Sequence, residues 1–172
     1  MELLRLFRLV AIALAVVLPG RYFLGEPVYV ASPSMEPTLR TGTLLVLDKV
    51  TLRVREPRRG DILSFRSPVE KNVDLIKRVV GLPGETVELK EKAVFINGIQ
   101  LEEPYVVHHR AGERLEGDTI GPFVVPRDGW FVLGDNRDES NDASVWKDGE
   151  GRPVRAVRRS LLQGLIRRLP WA

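Results

Sequence analysis

From Leu3 to Leu18 the chain is apolar apart from Arg5 and Arg8, and Leu9 to Leu18 is unbroken. A helix over this stretch is about 24 Å long, short of the roughly 30 Å hydrocarbon layer of a membrane. The shortfall closes if Arg5 and Arg8 reach toward the headgroups and Tyr22, Phe23 and Leu24 carry the span past Pro19 and Gly20. The pattern predicts a single membrane anchor over residues 1–25 and a folded domain over 26–172. A cleaved secretory signal and a buried core helix are the rival readings of the same stretch. Cleavage needs small residues one and three positions before the cut, and Ala31, Gly25 and Gly20 have Tyr29, Phe23 and Leu18 in the third position. The segment is therefore read as uncleaved. Arg5, Arg8 and the amino terminus favour that end in the cytoplasm, a bias that Arg21 weakens, and the domain then faces outward at the cell membrane.

Beyond the anchor, short apolar runs alternate with turn signals at roughly ten-residue intervals, the pattern of a β domain. The runs predict strands at Leu44 to Val50, Asp61 to Phe65, Leu75 to Val80, Thr86 to Leu89, Ala93 to Ile96, Ile99 to Leu101, Thr119 to Val125 and Trp130 to Leu133. Asn97-Gly98 reads as a hairpin turn. Pro57 to Gly60 and Pro83-Gly84 are further turns, and Ala111 to Asp118 is a polar loop. The fold class is mainly β, a compact antiparallel sheet or partly open barrel behind one transmembrane helix. Periodicity alone favours a helix for the tail, where Leu161, Leu162, Leu165, Ile166 and Leu169 form a stripe.

With 172 residues, 44% hydrophobic and 28% charged, the chain fits one modest domain with its own core. The absence of cysteine excludes disulfides, metal-thiolate sites and a thiol nucleophile. His108 and His109 are adjacent, leave no second histidine for a spaced metal site, and read as a solvated loop pair. Neither metal nor cofactor is expected. A net charge of +3 with no basic stripe interleaved with aromatics gives no sign of nucleic acid binding, and attraction to anionic lipid explains the basicity more simply.

Candidate chemistry begins at Ser34, in the proline-bounded run Ser32-Pro33-Ser34-Met35-Glu36-Pro37 just past the anchor. Alone, such a serine is a turn residue. A serine nucleophile needs a base, and a lysine serves only when neutral. Lowering its pKa from about 10.4 to about 7 or 8 demands an apolar setting that costs roughly 4 kcal/mol. Among the six lysines Lys77 meets that demand best, because alternation in Leu75-Ile76-Lys77-Arg78-Val79-Val80 puts apolar neighbours on its own face. The competing reading is a strand lysine extended to solvent. Lys49 is the runner-up but has Asp48 beside it, and Lys71, Lys90, Lys92 and Lys147 lie in polar turns. Arg78 keeps its charge and needs a carboxylate, which Asp135 or Asp142 in the polar run Gly134 to Asp142 can supply. That run lacks the acidic twelfth position of a calcium loop and reads as a buttress beside the catalytic strand.

Four segments in order, Ser34 to Leu39, Gly60 to Leu63, Ile76 to Gly84 and Gly134 to Asp142, resemble the bacterial type I signal peptidases, the Ser-Lys leader peptidases. The resemblance covers nearly the whole chain. It implies Ser34 as nucleophile, Lys77 as its base, Ser32 as side-chain oxyanion donor beside the Ser34 N–H, and Ser140 as the serine that orients the lysine amine. Arg78, Asp135, Arg137 and Asp142 match the supporting network. Val28, Val30, Met35, Leu39, Leu75 and Ile76 match the pocket that selects small residues, typically alanine, one and three positions before the cut in secretory preproteins. Pro33 stands where the family usually has glycine. Ser144 stands where it commonly has the arginine partner of Asp142, for which Arg137 or Lys147 are possible substitutes. The same resemblance makes the tail, from Gln163-Gly164 to Pro170-Trp171, a closing strand.

The function expected is a membrane-bound serine endopeptidase working through an acyl-enzyme on signal peptides, in contact with the lipid bilayer. A self-cleaving repressor shares the dyad but carries a DNA-binding domain where this chain has its apolar segment. The altered Pro33 and Ser144 leave the alternative of a catalytically inactive β domain that binds preproteins or translocation partners.

Overall fold

The structure, a computed structural model, describes residues 5–13 and 25–168. Residues 5–13 are helical with exposed side chains, and among the described residues no helix is long and apolar enough to cross a membrane. Residues 1–4 and 14–24 of the expected anchor lie outside the described residues, and Gly25, expected to end it, begins a strand paired with Asp48 instead.

Among the described residues eleven strands follow: β1 (Gly25–Tyr29), β2 (Leu44–Asp48), β3 (Ile62–Arg66), β4 (Asp74–Gly81), β5 (Thr86–Lys90), β6 (Ala93–Ile96), β7 (Ile99–Gln100), β8 (Ile120–Val124), β9 (Gly129–Leu133), β10 (Val157–Arg158) and β11 (Leu162–Arg167). They form a seven-stranded sheet, β1-β2-β11-β3-β4-β9-β10, and a four-stranded sheet, β7-β6-β5-β8. Every pairing of strands is antiparallel. The mainly β expectation holds.

The expected strands recur with shifted ends, and the shifts have local causes. β2 stops at Asp48, whose carboxylate accepts the N–H groups of Val50 and Thr51 and the Thr51 hydroxyl, starting the helical turn Thr51–Val54. The Asn97-Gly98 hairpin turn is confirmed by φ values of +52° and +82°. β1 and β10 were not expected: β1 carries Pro27 on a sheet edge, and β10 is only two residues long.

The described part of the tail is a strand up to Arg167, residues 169–172 lying outside the described residues, and its helical stripe has another explanation. β11 runs between β2 and β3, so both of its edges are paired, and a buried cluster lies on each of its faces. Leu165 enters a large core with Leu63, Phe65, Val79, Phe131 and Trp146, while its neighbour Ile166 enters a smaller cluster with Val30, Met35, Leu39, Leu45 and Leu47. A strand buried on both faces loses its polar alternation. β3 divides in the same way, Leu63 and Phe65 to the large core and Ile62 to the small cluster. The seven-stranded sheet is thus packed on one face by the main core and on the other by the segment carrying Ser34.

Phe65 is fully buried and meets Trp146 edge-on, with ring centroids 6.0 Å apart. Phe65→Ala is expected to destabilise the fold by about 3–5 kcal/mol, read as a lower urea midpoint at unchanged slope.

Candidate active site

Ser34 sits in the 3-10 turn Pro33–Met35, which follows β1 and is entered from an extended Ser32. Proline at the first position of the turn has no N–H to leave unpaired and pre-sets its φ. Met35 and Leu39 are 1% and 2% exposed and root this segment in the small cluster. Lys77 comes from the middle of β4, opposite Leu63 of β3. The two meet where Lys77 Nζ lies 2.6 Å from Ser34 Oγ, with both residues buried.

Burial is what changes the lysine. Loss of water pulls its pKa down from 10.5 to about 8, against the opposing charges of Asp142 and Asp135, which favour the ammonium. The depression corresponds to a cost on the order of 3 kcal/mol for holding the charged form there. At such a pKa a substantial share of the amine is neutral near physiological pH, and the 2.6 Å contact then runs from the serine hydroxyl to the nitrogen.

The other residues singled out by sequence divide among several positions. Ser32 Oγ is 3.1 Å from Ser34 Oγ on the exposed side of the turn, so Pro33 does not keep the two hydroxyls apart. Val28, Val30, Met35, Leu75 and Ile76 line a cleft of about 170 Å³ with Ser32, Ser34 and Lys77. Leu39 is not among them. It lines a separate cavity with Pro37, Thr38, Arg40, Thr43, Leu45 and Arg168, because the chain turns away after Pro37.

Asp135, not Asp142, neutralises Arg78: the guanidinium donates to both Asp135 oxygens, at 2.8 and 2.6 Å, and to the Gly60 carbonyl at 2.9 Å. Arg78 also lies 4.0 Å over the ring of Tyr105, whose hydroxyl donates to Glu103. Burial and the adjacent Glu103 charge push the Tyr105 pKa up. Arg137 pairs with Glu103 at 2.6 Å and Lys147 with Glu116 at 2.5 Å, so neither replaces an arginine at Asp142. Asp142, 1% exposed, is held instead by neutral donors: Gly134 N–H at 2.9 Å, the Ser140 hydroxyl at 2.5 Å, and the Ser144 N–H and hydroxyl at 3.0 and 2.8 Å. Arg155 braces the same turn from behind by donating to the carbonyls of Ala143 and Ser144. Ser140 therefore gives its proton to Asp142. Among the described residues, the hydrogen bond of the Lys77 amine goes to Ser34.

Sequence reasoning missed three parts of the site. Asn136 is 2% exposed and grips the turn that carries Ser34, its N–H on the Ser34 carbonyl at 3.1 Å and its Nδ2 on the Pro33 carbonyl at 3.3 Å. It lay inside the polar run already noted, but nothing in its spacing set it apart. Gly134 is forced to be glycine, since a Cβ there would lie 2.3 Å from Ser140 Oγ and 2.5 Å from the Ser34 carbonyl oxygen. Ser64 and Gln163 line the cleft, yet their strands read only as core. Several surface expectations also change. Lys49 pairs with Glu26 at 2.8 Å rather than with Asp48. Lys92, though in a turn, is drawn in to Asp138 at 2.9 Å. His108 is partly buried, with Nδ1 3.6 Å from the same carboxylate, while His109 is exposed.

The family model described as signal peptidase, peptidase S26, matches residues 3–166. A signal peptidase I of Bacillus licheniformis is 42% identical over 140 residues, covering 78% of this chain and 73% of the relative. A signal peptidase I of Pseudomonas aeruginosa is 35% identical over 170 residues, covering 78% of this chain and 60% of its own length. The crystal structure of a signal peptidase I from Enterococcus faecalis aligns at 30% identity and a TM-score of 0.49, over 65% of this chain and 97% of that one. The chain belongs to the peptidase S26 family of signal peptidases.

Proposed function

We infer that this chain is a signal peptidase that cleaves N-terminal signal peptides from secretory preproteins, with Ser34 as nucleophile and Lys77 as general base. The observation that carries the reading is the 2.6 Å contact between a buried lysine amine and a buried serine hydroxyl at the wall of a mostly apolar cleft. In the acylation step the neutral Nζ takes the Ser34 proton as Oγ attacks the scissile carbonyl. Collapse of the tetrahedral intermediate forms the ester, and the ammonium gives its proton to the departing amine. A water deprotonated by the same amine then hydrolyses the ester.

The Ser32 hydroxyl and the Ser34 N–H are the donors we assign to the developing oxyanion. Ser32 is supported by its place beside the nucleophile oxygen. Ser140 is assigned a position behind the pair, fixing Asp142 rather than the amine itself. Val28, Val30, Leu75 and Ile76 narrow the cleft, which favours small side chains near the cut by excluding large ones. Chemistry of this kind requires neither metal nor cofactor. The segment before β1 is proposed to anchor the enzyme in the bilayer with the amino terminus in the cytoplasm, supported by the exposed apolar side chains of Leu6, Phe7, Leu9, Val10 and Ile12. The anchor would bring the cleft to the surface where signal peptides emerge.

Purified protein in detergent is expected to cut a preprotein at a single site, located by mass, after a small residue. Ser34→Ala and Lys77→Met are each expected to lower kcat/KM by at least about a thousandfold with the folded state intact by circular dichroism. Wild-type cutting rates in either variant would remove the dyad from the mechanism. Failure of the wild type to cut any preprotein would favour the inactive binding domain.

The base also sets a pH dependence. Because Lys77 must be neutral and its pKa lies at about 8, activity rises as pH climbs through that value. Below it kcat/KM is expected to fall about tenfold per pH unit, and above about pH 9 to level off. Stability follows the same sign: the folded state binds fewer protons than the unfolded chain between about 8 and 10.5, so this group adds stability as pH rises through that window. A flat kcat/KM between pH 6 and 9 would exclude a titrating lysine.

A further inference from the structure

Ser64 breaks the polarity pattern of its strand. Its neighbours Leu63 and Phe65 enter the main core, so Ser64 points with Ile62 to the opposite face, where Ile76, Val28, Val30 and Leu47 gather. An apolar residue would suit that position, yet it holds a hydroxyl that is 3% exposed and lines the cleft beside Ser34 and Lys77.

The hydroxyl is held in one orientation. It donates to Gln163 Oε1 at 2.8 Å, and Gln163 Nε2 in turn donates to Asp74 Oδ1 at 2.8 Å. The carboxylate fixes which way the amide faces, and the amide fixes the serine proton. A hydroxyl has one proton and two lone pairs, and with the proton committed to Gln163 its oxygen remains an acceptor. Among the described residues no donor is bonded to that oxygen. All three residues of the relay Ser64–Gln163–Asp74 line the cleft, and Ser64 supplies a buried acceptor beside the apolar Val28, Val30, Leu75 and Ile76.

Position along the strand indicates which part of a substrate meets it. Ser64 lies opposite Ile76, one residue from Lys77, and the relay continues to Asp74, about 10 Å along β4 from Lys77. In an extended substrate the first and third residues before the cut point the same way, and the third lies about 7 Å from the first. With the first residue beside Lys77 and the substrate running along β4 toward Asp74, the third residue lies beside the relay.

We propose that Ser64, oriented by Gln163 and Asp74, is a specificity-determining residue that accepts a hydrogen bond from a small hydroxylated side chain, serine above all, at the third position before the cut. The inference rests on the peptidase reading above. A cleft with this acceptor takes serine nearly as readily as alanine there, because the substrate hydroxyl exchanges its water for Ser64.

The test uses the full chain in detergent and two preproteins that differ only in alanine or serine at the third position, with alanine at the first. For the wild type, kcat/KM for the serine form is expected within about threefold of the alanine form. Ser64→Ala is expected to lower the serine-to-alanine ratio about five- to tenfold, and Ser64→Thr, which keeps the hydroxyl, to restore it. An unchanged ratio in Ser64→Ala overturns the proposal, including when both rates fall together, which would assign Ser64 to the substrate main chain or to the fold. Should Ser64→Ala fail to fold, the wild type decides: a more than tenfold preference for alanine over serine overturns the proposal. A wild type that cuts neither preprotein overturns the peptidase reading and this inference with it, whereas cleavage at an unaltered ratio overturns this inference alone.

Discussion

The site depends on one conflict, between an amine that needs water to keep its charge and a fold that denies it water. Lys77 is 3% exposed, and burial outweighs the two carboxylates that would keep it protonated. A fully exposed amine would stay an ammonium and accept nothing. One paired directly with a carboxylate would also stay charged, however deeply buried. The structure avoids both outcomes by committing the nearby acids elsewhere. Asp135 is bound on both oxygens by Arg78, and Asp142 is occupied by four donors from Gly134, Ser140 and Ser144.

The treatment of Asp142 is the more unusual of the two. A buried carboxylate is ordinarily stabilised by a cation, and satisfying it with neutral donors alone leaves its field uncompensated at short range. That field is the largest opposing influence on Lys77. Arg155 reaches the turn from behind, binding the carbonyls of the residues just after Asp142 rather than the carboxylate. Positive charge is thus held one peptide away, where it moderates the carboxylate without pairing with it.

Much of the domain is readable from its residues, and the parts that are not share a cause. Strands with one face in the core alternate cleanly, and turns such as Asn97-Gly98 announce their backbone angles. β11 is ambiguous because both its faces are covered, so Leu165 and Ile166 are adjacent in sequence and buried in different cores. Within the site, Ser34 and Lys77 are legible because each needs an unusual setting that the neighbouring residues betray. Asn136 acts through backbone groups of another segment, and Ser64 is significant only because Gln163 and Asp74 fold against it. Pairings across 99 and 89 residues leave no local trace. The partner of Asp142 fails for a related reason: one ionic contact is replaced by several weaker ones from its own turn.

Asn136 holds the carbonyls of Pro33 and Ser34 while Gly134 lets the end of β9 press directly against the same turn. Since β9 is paired along β4, the strand bearing the lysine and the loop bearing the alcohol are braced by one continuous piece of backbone. Neither partner has to be gathered when a preprotein arrives. The loss of freedom needed to align them is incurred once, as the chain folds, and in the mechanism proposed above every round of catalysis starts from groups already in place.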